Sequence, residues 1–196
     1  MEMNFYKRKE VKLPKYDVLI FASDHNKSFH SGYDNYYNEY LAHYDWIKNF
    51  SKRFPEYKLG IKLKKIITDQ NVIKKIKNIK NVDFLFDRGF HSDSYYYGKN
   101  AKALCTWSST LAFEFLGSRR KVYFLDPKFK NISFLPNINF IKMFKIPTYN
   151  EFEFKMLKMI KKTNERMIHS KSLSKKFCFY SKNTSENIYS FLKKNN

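Results

Sequence analysis

The sequence predicts a single α/β domain, with a parallel sheet of five to six strands and helices on both faces. Three observations carry that expectation. Apolar runs of strand length alternate along the chain with stretches of helical period, the order that a parallel sheet with right-handed crossovers needs. The clearest runs are apolar at consecutive rather than alternate positions, as in strands covered on both faces. A chain of 196 residues, 43% hydrophobic, is enough for one good-sized core and too short for two large domains.

The first strand is expected over Tyr16 to Ser23, followed by a polar loop from Asp24 to Gly32. A helix follows from Tyr36 to Phe54, because Tyr37, Leu41, Tyr44, Ile47 and Phe50 or Ser51 recur at helical spacing and Pro55 ends the pattern. Tyr57 to Leu63 alternates as a strand. Asp69 to Asn78 reads as a short lysine-rich helix with Ile73 and Ile76 facing inward. Val82 to Asp87 is the third strand, Arg88 to Asp93 a loop, and Ser94 to Asn100 one or two helical turns. Ala103 to Thr106 and Lys121 to Leu125 are the fourth and fifth strands, flanking a helix from Ser109 to Leu116. The pattern loosens after Pro136 until Thr148, which has Glu151 at capping-box spacing and opens a helix that turns Phe152, Met156, Met159 and Ile160 inward. A closing helix is expected at 184–194, and residues 1–14 read as an N-terminal extension to a domain spanning 1–196.

Composition narrows the classes. The net charge is +20, from 38 Lys and Arg against 18 Asp and Glu. The excess is mostly Lys and accompanies abundant Asn, Ile, Phe and Tyr, all encoded by AT-rich codons, so base composition accounts for part of it. The lysines are spread along the chain, and nucleic-acid binding would rest on charge alone. An ordinary solvated face is the leading expectation, with attraction to anionic lipid or to a phosphorylated substrate as the more specific alternative. No apolar run approaches the ~20 residues needed to span a bilayer, and the polar N-terminus lacks a signal-peptide apolar region. A cytoplasmic protein, in peripheral contact with the inner face of the cell membrane, is expected. Cys105 and Cys178 make no disulfide framework.

One segment carries chemistry. Ala103-Leu-Cys-Thr-Trp-Ser-Ser-Thr-Leu-Ala-Phe-Glu-Phe-Leu-Gly117 reads as a buried strand, a hydroxyl-rich turn and a short helix. Ser108, Ser109 and Thr110 offer hydroxyls and backbone N–H groups suited to a phosphate; plain helix capping is the ordinary alternative. Glu114, four residues after Thr110 on the same helix face, sits among apolar neighbours, and a ribose offers hydroxyl donors at about that distance. Asp24 and His25 follow the first strand at the same sheet edge, and His25 has the chemistry of a general base or acid. Arg88 and His91 follow the third strand, where Arg88 is suited to pair with a phosphate. Asp126-Pro127 ends the fifth strand as a turn. No ligand set for a metal, no P-loop and no dinucleotide fingerprint is present.

The run from Trp107 through Ser108, Ser109, Glu114 and Gly117 to Pro127 resembles the donor-binding signature of bacterial GT-B glycosyltransferases, especially those that build capsules and surface polysaccharides. The likeness is firm from about Val82 to Pro127, and the stretch Lys182 to Leu192 is similar to the closing helix of such domains. It implies a Rossmann-like C-terminal half in which Ser108, Ser109 and Thr110 hold the donor phosphates and Glu114 the ribose or sugar. Two departures stand out. Many relatives carry a His-Pro or double-His element after the strand equivalent to Lys58 to Lys62, where this chain has Leu63-Lys64-Lys65. Lys62 or Lys64 replaces the charge of that element but not its acid-base behaviour near neutral pH. A complete enzyme of this kind also has an acceptor domain, and one domain is apparent here. The implied function is sugar transfer from a nucleotide-sugar (CMP-, CDP-, UDP- or GDP-linked) to a surface polysaccharide or lipid-linked glycan. No cofactor or metal is called for, and an acceptor-domain partner or a second copy supplies the rest. The alternative is a non-catalytic nucleotide- or glycan-binding subunit.

Overall fold

The computed structural model describes residues 14–22, 37–63, 70–77, 79–86, 92–107, 109–127 and 139–175. Six parallel strands form one sheet: β1 (Val18–Phe21), β2 (Leu59–Leu63), β3 (Val82–Phe86), β4 (Ala103–Thr106), β5 (Tyr123–Leu125) and β6 (Lys145–Ile146), in spatial order β3-β2-β1-β4-β5-β6. β1 is central, with Val18 to Phe21 paired to Leu59 to Lys62 on one side and to Ala103 to Thr106 on the other.

Helices α1 (Tyr37–Arg53), α2 (Gln70–Lys77) and α5 (Tyr149–Lys161) cover one face. There Tyr44, Ile47, Phe50, Val72, Phe152 and Met156 pack on Val18, Ile20, Leu59, Ile61 and Cys105. Helices α3 (Ser92–Asn100) and α4 (Leu111–Gly117) cover the other, with Tyr97, Ala112, Phe115 and Leu116 against Leu19, Phe21, Leu104 and Phe124. The chain runs on from α5 through a 3₁₀ turn (Thr163–Arg166) into a short helix, α6 (Lys171–Lys175).

Two glycines set close approaches. At Gly60 a Cβ would lie 2.9 Å from the Tyr16 ring, which crosses β2 and donates its hydroxyl to Asp83 at 3.0 Å. At Gly98 on α3 a Cβ would overlap the ring of Phe115 on α4, so the glycine lets these two helices meet. At the amino edge of the sheet, Asp17 pairs with Lys102 at 2.6 Å and Asp83 with Lys58 at 3.1 Å.

Several expectations need correction. The fifth strand begins at Tyr123 rather than Lys121. The loosened stretch before Thr148 contains a 3₁₀ turn (Asn139–Phe144) and β6. On α2 Val72 is the buried residue; Ile76, half-buried, packs against the same core as expected, while Ile73 is half-buried and not part of that cluster. The helix after β4 starts at Leu111 and runs through Gly117. Arg119, at φ 67°, takes the left-handed position of a Schellman ending, with Arg119 N–H donating to Leu116 and Arg120 N–H to Phe115. The expected closing helix at 184–194 and residues 1–13 lie outside the described residues.

Candidate functional site

The strand order reverses between β1 and β4, since β2 and β3 extend the sheet one way from β1 and β4 to β6 the other. The crevice outside the carboxyl ends of the two central strands is where open α/β sheets bind ligands. Phe21 ends β1 and Thr106 ends β4, and the buried Thr106 hydroxyl donates to the Phe21 carbonyl at 2.8 Å, pinning the strand ends together. The hydroxyl-rich turn therefore leaves the sheet at the switch point.

Trp107 after β4 is buried, Ser109 half-buried and Thr110 exposed. The carbonyls of Ser109 and Thr110 accept from Ala112 N–H at 3.1 Å and Phe113 N–H at 3.0 Å, which starts the helix tightly. Thr110 stands at the N-cap in helical geometry (φ −61°, ψ −31°), and its side chain makes no capping hydrogen bond. Capping thus does not account for the Thr110 hydroxyl. α4 is held over β1 by the Phe115 ring, which stacks on Phe21 at 5.8 Å and 16°. With only seven residues it has a weak dipole, so the site's chemistry rests on hydroxyls and backbone donors.

Glu114 is half-buried on α4 and accepts a hydrogen bond from the Tyr95 hydroxyl of α3. The carboxylate is thus oriented by a residue that the sequence alone did not single out. Lys62, at the carboxyl end of β2 beside Phe21, is only 4% exposed, and its Nζ donates to the Leu63 carbonyl at 3.2 Å. Asp126 ends β5 fully buried, paired with Lys145 of β6 at 2.8 Å. It is half of a buried ion pair as well as a turn residue. Ser108, Asp24, His25, Arg88 and His91 lie outside the described residues.

The other side of the switch point holds a second unanticipated group. His43 of α1 is 4% exposed and sits edge-on to Trp46 at 5.8 Å and to Trp107 at 6.0 Å. Beside it lies a small apolar hollow bounded by Ile20, Ala22, Ile61 and Leu125. His43 lies one residue before Tyr44 on the inward stripe of α1, and that position was the available signal. Cys105 beneath is fully buried, and burial pushes its thiol well above the ordinary range. Among the described residues no group of three or more His, Cys, Asp or Glu side chains is arranged to hold a metal. Among them, too, no helix is long and apolar enough to cross a membrane.

Strand order and switch point together define a Rossmann-like, doubly wound α/β domain. No family model matches the chain, and no curated protein matches its sequence. Among solved structures it is similar to a Listeria monocytogenes protein provisionally described as a UDP-N-acetylglucosamine 2-epimerase, with a TM-score of 0.48 at 7% identity. That likeness covers 81% of this chain and 42% of the other, so the chain spans less than half of that protein's length.

Proposed function

We propose that this chain is the nucleotide-sugar-binding half of a GT-B type glycosyltransferase, acting on a surface polysaccharide or lipid-linked glycan. The observation that carries the reading is the position of Ser109 and Thr110. They follow β4 at the switch point, and the Thr110 hydroxyl is exposed and not spent on capping. With Ser108 they are the donor-phosphate ligands in this reading, and Glu114, oriented by Tyr95, takes a hydroxyl of the ribose or sugar. Hydrogen bonds to the departing phosphate would stabilise its developing charge, by about 1.5–3 kcal/mol for each bond to a charged group. His25 and Asp24 are the proposed proton-handling groups, and Arg88 a further phosphate contact. Lys62 contributes positive charge from beneath the crevice.

A second reading, a nucleotide- or glycan-binding subunit without turnover of its own, is favoured by Lys62 itself. Where relatives offer an imidazole after this strand, the chain has Leu63-Lys64-Lys65, and the neighbouring Lys62 is buried and bonded to a main-chain carbonyl. Titration calorimetry with CMP, CDP, UDP and GDP tests both readings, because each expects one nucleotide to bind. Replacing Ser109 and Glu114 together by alanine is expected to weaken that binding at least tenfold without unfolding the protein. Unchanged affinity removes the site, and turnover with and without an acceptor-domain partner separates the two readings.

A further inference from the structure

We propose that the outer face formed by α1 and α2 is an electrostatic docking surface for an anionic lipid bilayer. This does not depend on the nucleotide site. α1 turns Tyr44, Ile47 and Phe50 to the sheet, and the opposite side carries Asp45, Lys48 and Lys52. α2 buries Val72 and presents Lys74 and Lys77 to solvent. The Lys75 ammonium joins the helices by pairing with Asp45 at 2.5 Å. Among the described side chains, five lysines (Lys48, Lys52, Lys74, Lys75 and Lys77) therefore share this face with one aspartate, Asp45, which Lys75 already neutralises.

Lys48, Lys52, Lys74 and Lys77 have no ion-pair partner among the described residues. Elsewhere Lys58, Lys102, Lys121, Lys145, Lys155 and Lys158 each reach a carboxylate, and further lysines without an ion pair among the described residues, including Lys15, Lys99, Lys142, Lys161 and Lys162, are dispersed over other elements. An AT-rich coding bias would raise the number of lysines without gathering unpaired ones on two packed helices. Such a concentration of like charge opposes folding unless a partner of opposite charge offsets it.

The kind of charge selects the partner. All four are ammonium point charges with no arginine among them, so planar, bidentate phosphate recognition is not what the face offers. The exposed positions between them, Asn49, Gln70 and Asn71, are polar and provide no aromatic platform for stacking bases. α1 has 17 residues, about 25 Å of helix, and the Lys75–Asp45 pair ties α2 to it, so the ammonium groups are spread over two helices. A bilayer bearing acidic headgroups offers a diffuse field that asks for proximity only, and attracts each nearby lysine by about fivefold in partition coefficient.

The test is co-sedimentation of the full chain with phosphatidylcholine vesicles, alone and with about 30% phosphatidylglycerol. Binding to the anionic vesicles only, fading as salt rises, is expected. Replacing Lys48, Lys52, Lys74 and Lys77 by glutamine should lower the partition coefficient by roughly two to three orders of magnitude. A control with Lys15, Lys99, Lys161 and Lys162 replaced by glutamine has the same net charge and should retain most of the binding. Circular dichroism confirms that both variants are folded. Absence of binding to anionic vesicles overturns the proposal, as does equal loss in the control, which would make the attraction one of overall charge. Displacement of the protein from vesicles by single-stranded RNA through the same four lysines also overturns it, in favour of nucleic acid.

Discussion

Replacing Asp126 by alanine is the sharpest test of how the carboxyl edge of the sheet is built. Asp126 is fully buried and its Oδ2 lies 2.8 Å from Lys145 Nζ, whose side chain is 9% exposed. The Asp126 N–H also donates to the Ile146 carbonyl at 2.9 Å, so the pair closes the ladder between β5 and β6. Removing one partner of a buried pair strands the other charge, at a cost of about 3–5 kcal/mol. A stability of about 5–15 kcal/mol would lose a large fraction of its value. With a urea slope of about 2.5 kcal/mol per molar, the unfolding midpoint falls by roughly 1–2 M. The companion variant, Asp126→Leu with Lys145→Met, removes both charges and fills the space, so it should sit near the parent or above it. Urea unfolding followed by circular dichroism reads both variants. A loss below about 1 kcal/mol for Asp126→Ala, the value of a surface pair, would refute the description of this edge as buried.

Two further predictions concern packing and pH. Gly98→Ala brings a Cβ into the Phe115 ring; overpacking of about 1–3 kcal/mol should exceed the roughly 1 kcal/mol gained in helix propensity, and a net gain in urea would show that α3 and α4 do not meet there. Glu165 is held below the usual carboxylate range, first by its hydrogen bond with Lys158 and then by the charge of Lys121. Because its folded pKa is depressed, its contribution is complete above the unfolded value near 4.3 and is lost as pH falls through the folded one. Glu165→Gln should therefore flatten the fall in Tm below about pH 4.5, and an unchanged acid slope would count against the pairing.

Much of the fold was legible wherever one periodicity dominated. Thr148 accepts from Glu151 N–H at 3.3 Å, as the capping-box spacing implied, and Phe152, Met156, Met159 and Ile160 are buried. β6 was not legible because it is two residues long, and its lysine points inward only because Asp126, distant in sequence, neutralises it. The helix expected to end at Leu116 takes in Gly117 as its last residue. The left-handed residue is Arg119, whose cost is offset by guanidinium bonds to the carbonyls of Ile168 at 3.0 Å and His169 at 3.2 Å. In the candidate site, the strand-turn-helix pattern located Ser109, Thr110 and Glu114. Tyr95, Thr106 and His43 escaped notice because each acts through a contact with another element.

The distribution of buried polarity argues for where the chain does its work. Among the described residues, six polar or charged side chains are buried: His43, Ser51, Lys62, Thr106, Asp126 and Lys145. Register places Lys62, Thr106 and Lys145 in one row across β2-β1-β4-β5-β6, with Phe21 and Phe124 between them, and Asp126 follows two residues after Phe124. His43 packs on Trp107 just past the end of β4. Ser51 alone belongs to the opposite end, where it fixes the Lys80 turn. Burying such groups costs stability that apolar residues of similar size would not, and the amino edge holds its sheet with half-exposed pairs instead. Local rules of this kind are usually broken at functional sites. That the breach gathers at the carboxyl edge, around the switch point, is the physical reason for seeking a ligand there and nowhere else on the sheet.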